Sequence, residues 1–150
     1  MSRLFVFRKV IGQKRVVKSV VNLLHGAKAH GEPCPHILIM GPTGHGKTFL
    51  TKAVAEEYGT GFHLMVGSDH TDRLALAQRS EEWEANDFVF FDECHLLSVD
   101  MQTILYRLID SNVVPKSAES KEGAKPKVDG WRKIKPVTLV FATDRPGSLL

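Results

Sequence analysis

Cysteine is scarce in this chain of 150 residues, where Cys34 and Cys94 are the only two. With no disulfide framework to build, both are read as free thiols in a reducing compartment. Long apolar runs are also missing. The apolar stretch in "MSRLFVFRKV" is cut by Arg8 and Lys9, and nothing approaches the roughly 20 residues of a membrane span. The expectation is a soluble, cytoplasmic protein with no signal peptide and no membrane partner. Acid is absent from residues 1–31, which hold seven Lys/Arg, whereas residues 32–112 hold thirteen acids against five bases. Residues 113–135 turn basic again, with seven Lys/Arg and three acids. A nucleic acid would therefore meet the ends of the sequence rather than its middle. No internal repeat is present, and 43% hydrophobic residues suffice for one ordinary domain spanning 1–150.

What is present alternates between two periodicities. From Gly12 to about Ala29, Val16, Val17, Val20, Val21, Leu24 and Ala27 recur at helical spacing. "HGEPCPH" breaks that helix, and "HILIM" follows as a continuous apolar run of the kind expected for a strand buried on both faces. After a glycine-rich loop, "KTFLTKAVAEEYG" reads as a helix stopped by Gly59, "FHLMV" as a strand and "TDRLALAQRSEEWE" as a helix. "DFVFFDE" is the strongest strand. Ser98 is placed to cap a helix whose Met101, Ile104, Leu105, Leu108 and Ile109 form one face, and "VTLVFATD" closes the series as a further strand. Such alternation implies right-handed crossovers and an α/β fold, a parallel sheet with helices on both faces. Residues 113–135 interrupt the rhythm. Two β-compatible pieces, "NVVPK" and "GWRKI", flank a polar stretch and suggest a hairpin with a long tip.

The segment "GPTGHGKT", residues 41–48, carries the chemistry. Gly-x-x-x-x-Gly-Lys-Thr between a strand and a helix lets successive backbone N–H groups converge on an anion, and the helix N-terminus adds its positive end. Lys47 is then read as reaching the terminal phosphates of a nucleotide and Thr48 as offering its hydroxyl to Mg2+. His45 sits at a variable position, where a solvent-facing loop histidine is the plainer reading. At the end of "FVFFDE", Asp92 puts a carboxylate beside the loop to hold Mg2+ through water. Glu93, one step on, is the candidate for polarising an attacking water, which points to hydrolysis rather than passive binding.

"DECH" also resembles the DExH box of two-lobed nucleic-acid translocases, but only 45 positions separate Lys47 from Asp92, room for one strand and one helix. Cys34, His36, Cys94 and His95 fit no zinc spacing. His95 is read instead as orienting Glu93 or capping the turn. A small-molecule kinase would need an acceptor pocket and lid that the sequence does not display.

Together, "VIGQKRVVKSVV", "GPTGHGKT", "FVFFDECHLL" and "VTLVFATDRPGSLL" resemble, in order and spacing, the AAA+ ATPases. The likeness is greatest to the ATPase portion of the RuvB-type Holliday-junction branch-migration motors, over residues 3–150. The resemblance implies a P-loop NTPase of AAA+ type that binds ATP and Mg2+. Val10, Ile11 and Gly12 would line the adenine site, and Gly41, Pro42, Thr43, Gly44, His45, Gly46, Lys47 and Thr48 the phosphates. Thr48 and Asp92 would hold magnesium, Glu93 would be the general base, and Asp144 or its neighbour Thr143 would be the sensor of the γ-phosphate. Asp144 departs from the usual Asn or Thr, and a carboxylate there repels the phosphate unless it is paired. The hairpin at 113–135 falls where such motors meet DNA or a junction-binding partner protein.

The likeness ends at Leu150, ahead of the fifth core strand, the arginine finger and the helical lid. It thus implies a chain truncated before those elements, slow as an isolated ATPase, with Arg145 or Arg107 as the first candidates for a finger of its own. "HILIM" would become a sheet edge, to be paired by Leu4–Phe7 or covered by self-association of the chain. Self-association is also what the resemblance implies, since the full-length family forms rings. The competing expectation is a nucleotide-dependent binding module with little turnover that presents basic surfaces to DNA or a partner.

Overall fold

The computed structural model describes residues 14–42, 46–67, 71–118 and 127–148. Helix α1 spans Lys14–His30 and leads into strand β1, Ile37–Met40. Helix α2, Lys47–Tyr58, ends at Gly59, whose left-handed conformation (φ 78°) lets its N–H reach back to the carbonyls of Ala55 and Glu56. Strand β2 covers Phe62–Val66 and helix α3 Arg73–Arg79. This helix is shorter than its sequence suggests. The Ser80 hydroxyl donates to the Ala77 carbonyl, and the chain tightens into a 3-10 turn at Ser80–Glu82. Strand β3 is Phe88–Asp92, and helix α4, Val99–Ser111, begins where the Ser98 hydroxyl accepts from the Met101 N–H. Strands β4, Val113–Ala118, and β5, Lys127–Lys133, pair antiparallel, and β6, Thr138–Thr143, completes the series.

Strands β1, β6, β3 and β2 lie in that order in one sheet, and every pair is parallel. Side-chain alternation along β3 then builds two cores at once. Phe88 and Phe90 join Val20, Leu24, Leu50 and Val54 from α1 and α2 on one face. Val89 and Phe91 join Leu76, Met101, Ile104 and Leu108 from α3 and α4 on the other. Fully burying side chains of this size is worth about 1.5–3 kcal/mol each, so β3 anchors both layers. The cysteines divide in the same way, Cys34 in the first core and Cys94 in the second. Burial pushes each thiol up to about 11, which leaves them protonated at neutral pH.

Strand β1 corrects the expectation of burial on both faces. Ile37 and Ile39 are half-buried under α1 and α2, whereas Leu38 and Met40 are 47% and 61% exposed. The reason is its position at the end of the sheet among the described residues. Helix α4 covers β3 and β6 but leaves, beside β1, an open apolar hollow of about 230 Å3 that Leu38, Tyr106, Ile109 and Phe141 help to line. Residues 4–7, expected to fold against this edge, lie outside the described residues.

The opposite end of the sheet is tied by one carboxylate. Asp87, just ahead of β3 and buried, accepts from the N–H of Gly61 (2.8 Å), the N–H of Glu84 (3.0 Å) and His63 Nε2 (2.7 Å). A Cβ on Gly61 would stand 2.8 Å from that carboxylate, so glycine is needed there. Burial alone would raise the carboxyl's pKa, but the donors outweigh it and hold Asp87 below the ordinary carboxylate value. Because the folded value is the lower one, this stabilisation is complete above about pH 4 and fades as pH falls through the depressed value. Asp87→Ala is therefore expected to lose about 2–4 kcal/mol at pH 7. In thermal melts the gap between parent and variant should shrink at pH 3, and an equal gap at both pH values would contradict the staple.

Candidate phosphate site

The carboxyl ends of three strands meet at one place. Strand β1 runs into Gly41 and Pro42, β3 ends at Asp92, and β6 ends at Thr143, directly opposite Met40. Ladder bonding continues past the strands, since the Gly41 N–H donates to the Thr143 carbonyl (3.1 Å) and the Gly67 N–H to the Asp92 carbonyl (3.0 Å). Gly46, at φ 77°, turns the chain into α2 through a conformation that a side chain would strain. Among the described residues the first turn of α2 has no side-chain cap, and it carries no acid, so its N–H groups lie at the positive end of the helix without such a partner. A cleft of about 310 Å3 results. Its walls are Gly46, Lys47, Thr48 and Phe49 from the start of α2, Asp92 and Glu93 from the end of β3, and Thr143 and Asp144 from the end of β6.

Within the cleft, Lys47 Nζ donates to the carbonyls of Gly41 (2.8 Å) and Pro42 (2.9 Å). These bonds fold the side chain back over the loop it follows. Asp92 is half-buried, and its Oδ1 accepts from the N–H of Glu93 (2.9 Å). Glu93 itself adopts a left-handed conformation, φ 50° and ψ 44°. That is unusual for a residue with a side chain and costs on the order of 1–2 kcal/mol. It turns the backbone sharply out of β3 into the 3-10 turn Cys94–Leu96, sending Cys94 into the core beneath.

His95 corrects the role expected of it. Its Nδ1 lies 2.9 Å from Thr143 Oγ1 and its Nε2 3.7 Å from Asp144 Oδ1, so these partners lie at the carboxyl end of β6 rather than at Glu93. Of the two arginines weighed as fingers, Arg107 lies over the Trp131 ring at 4.7 Å, on α4 and the hairpin. Arg145 Nε stands 3.9 Å from Asp144 Oδ1. Val10, Ile11, Gly12, Thr43, Gly44 and His45 lie outside the described residues. The structure therefore brings together Gly46, Lys47, Thr48, Asp92, Glu93, Thr143 and Asp144, with Gly41 and Pro42 tied to Lys47.

Residues 3–150 match the family described as the Holliday junction DNA helicase RuvB P-loop domain. The chain belongs to the RuvB P-loop domain family. It is 34% identical over 140 residues to the Holliday junction branch migration complex subunit RuvB of Thermotoga petrophila, a match that covers 93% of this chain and 41% of that protein. Among solved structures, the RuvB Holliday junction branch migration motor of Thermotoga maritima is 32% identical, with a TM-score of 0.71, over 93% of this chain and 41% of that one. Two point variants of the same motor align with TM-scores of 0.75 and 0.76 at 32% and 33% identity. The chain thus spans about two fifths of the length of these RuvB relatives. The P-loop NTPase fold of AAA+ type, expected from the sequence, is that of the RuvB family.

Two residues that shape the site, one in the cleft wall and one behind the Glu93 turn, were not singled out in the sequence. Phe49 forms part of its wall. Gly67, directly after β2, lies so close to the turn that an added Cβ would be 2.5 Å from the Glu93 carbonyl oxygen. A glycine at the carboxyl end of a strand was the available signal. Gly67→Ala should push on the Glu93 backbone and cost about 1–3 kcal/mol. Gly26→Ala, inside α1 where nothing lies within 4 Å of the new methyl, should instead stabilise by about 0.5–1 kcal/mol. Chemical denaturation of the two variants checks the opposite signs.

Proposed function

We propose that this chain is the ATP-binding and ATP-hydrolysing module of a RuvB-like motor that remodels DNA. One observation carries the reading: in a chain of the RuvB family, a lysine, a hydroxyl and two consecutive carboxylates line one cleft at the ends of parallel strands. Lys47 would leave the Gly41 and Pro42 carbonyls to meet phosphate oxygens. The open N–H groups of α2 would share that anion. Thr48 and Asp92 offer the hard oxygen donors that suit Mg2+, which when bound would supply charge neutralisation at the phosphates. Glu93, set apart by its left-handed turn, would orient and deprotonate the attacking water. Thr143 and Asp144 would face the γ-phosphate.

Turnover by this chain alone is expected to be slow, because a trans arginine finger is commonly worth about 10³ to 10⁵ in rate. The partners proposed are ATP, DNA, a junction-binding protein, and further copies of the chain in a ring.

Lys47→Ala should abolish nucleotide binding in calorimetry, and an affinity equal to the parent's would remove the phosphate-loop reading. Glu93→Gln should keep binding but lower phosphate release by roughly 10²-fold or more. Tight ATP binding by the parent with no phosphate release at all would favour a binding module over a motor.

For DNA, the hairpin of β4 and β5 offers Lys127 and Lys133, both exposed. Arg132 differs from them, because its guanidinium donates to Ser80 Oγ at 2.9 Å and so docks the hairpin on the body. Replacing Lys127 and Lys133 by Ala should reduce the slope of log affinity against log salt by about 2 for duplex DNA. An unchanged slope would assign the hairpin to a protein partner.

A further inference from the structure

The cleft poses an electrostatic problem. Asp92, Glu93 and Asp144 all line it, and Lys47 is the one ammonium among the described residues of its wall. A triphosphate entering there is repelled by any carboxylate that magnesium or a neighbouring donor does not offset. Asp92 has Mg2+ in the proposed reading, and Glu93 must remain a free base. The Asp144 side chain, 30% exposed, is left to the protein, where the largely exposed Arg145 guanidinium stands 3.9 Å from its Oδ1.

His95 is placed to answer it. The imidazole is 7% exposed and wedged between the turn after Glu93 and the end of β6. Thr143 Oγ1 already accepts from the Arg145 N–H at 2.9 Å. Its own hydrogen is therefore free to be donated to His95 Nδ1, 2.9 Å away. In that arrangement the imidazole hydrogen sits on Nε2, the atom 3.7 Å from Asp144 Oδ1. The opposite neutral tautomer would turn a bare lone pair toward a carboxylate, and the imidazolium would again present an N–H. Both favourable forms aim a hydrogen at Asp144.

We infer that His95 is a positioning residue for the sensor. It fastens the end of β6 to the turn that carries Glu93, and its Nε2–H draws the Asp144 carboxylate away from the position of the γ-phosphate. The inference rests on the proposed nucleotide site and adds a specificity to it. With the Nε2–H of His95 removed and Arg145 unchanged, Asp144 should oppose ATP, whose terminal phosphate it faces, more than ADP, which lacks that phosphate.

Calorimetry with Mg-ADP and a non-hydrolysable Mg-ATP analogue on the parent, His95→Ala, Asp144→Asn and the double variant tests this. His95→Ala should weaken the ATP analogue about tenfold, the scale of one partly screened like-charge contact, and leave ADP within about twofold. Adding Asp144→Asn should restore the ATP analogue to near the parent. Equal losses for both nucleotides, or no restoration in the double variant, would overturn the inference and leave His95 a packing residue. A parent that binds neither nucleotide would overturn the nucleotide site and this inference with it. Should His95→Ala fail to fold, the tautomer can be read in the parent by 15N-resolved imidazole spectra. A hydrogen on Nε2 supports the inference, and a neutral ring bearing its hydrogen only on Nδ1 overturns it.

Discussion

The parallel ladder between β1 and β6, extended by the bond from the Gly41 N–H to the Thr143 carbonyl, is the constraint on which the site depends. Parallel strands joined by right-handed crossovers present all their carboxyl ends at one side of the sheet. The register fixes which residues become neighbours there, with Met40 opposite Thr143 and Val66 opposite Asp92. A slip of one residue in β6 would move Thr143 out of line with the phosphate loop and exchange its two core faces. The side chains of β6 resist such a slip, because Leu139 is committed to one core and Val140 and Ala142 to the other.

Chemistry then accumulates where the backbone leaves the strands. Gly46 and Glu93 both take left-handed conformations, and both stand at the cleft. Gly46 does so at no steric cost, whereas Glu93 is held there by its surroundings: its N–H on Asp92, its carbonyl accepting from Leu96, and the close approach of Gly67. Strain concentrated at one carboxylate, between a rigid strand and a core-anchored turn, fits a residue whose direction matters more than its packing.

Much of this was legible because it is periodic or contiguous. The alternation of strands and helices, the capping Ser98 and the glycine stops follow from local physics, and the residues of "GPTGHGKT" and "FFDE" are adjacent in sequence. Other features required contacts between distant segments. The exposure of Leu38 and Met40 depends on which strand ends the sheet, which the apolar run does not tell and which the family resemblance, not the run, leads one to expect. The pairing of His95 with Thr143 joins residues 48 apart, and Gly67 matters only because the Glu93 backbone passes beside it. The early end of α3 came from Ser80 competing for a backbone carbonyl, which apolar periodicity does not register.

In the proposed reading, the strand ends of β1, β3 and β6 hold a magnesium nucleotide. A crystal structure of the chain with Mg2+ and a non-hydrolysable ATP analogue decides it. In that complex Lys47 Nζ should have left the Gly41 and Pro42 carbonyls for phosphate oxygens, with the metal beside Thr48 and Asp92. Nucleotide density elsewhere on the molecule, with Lys47 still folded onto its own loop, would contradict it.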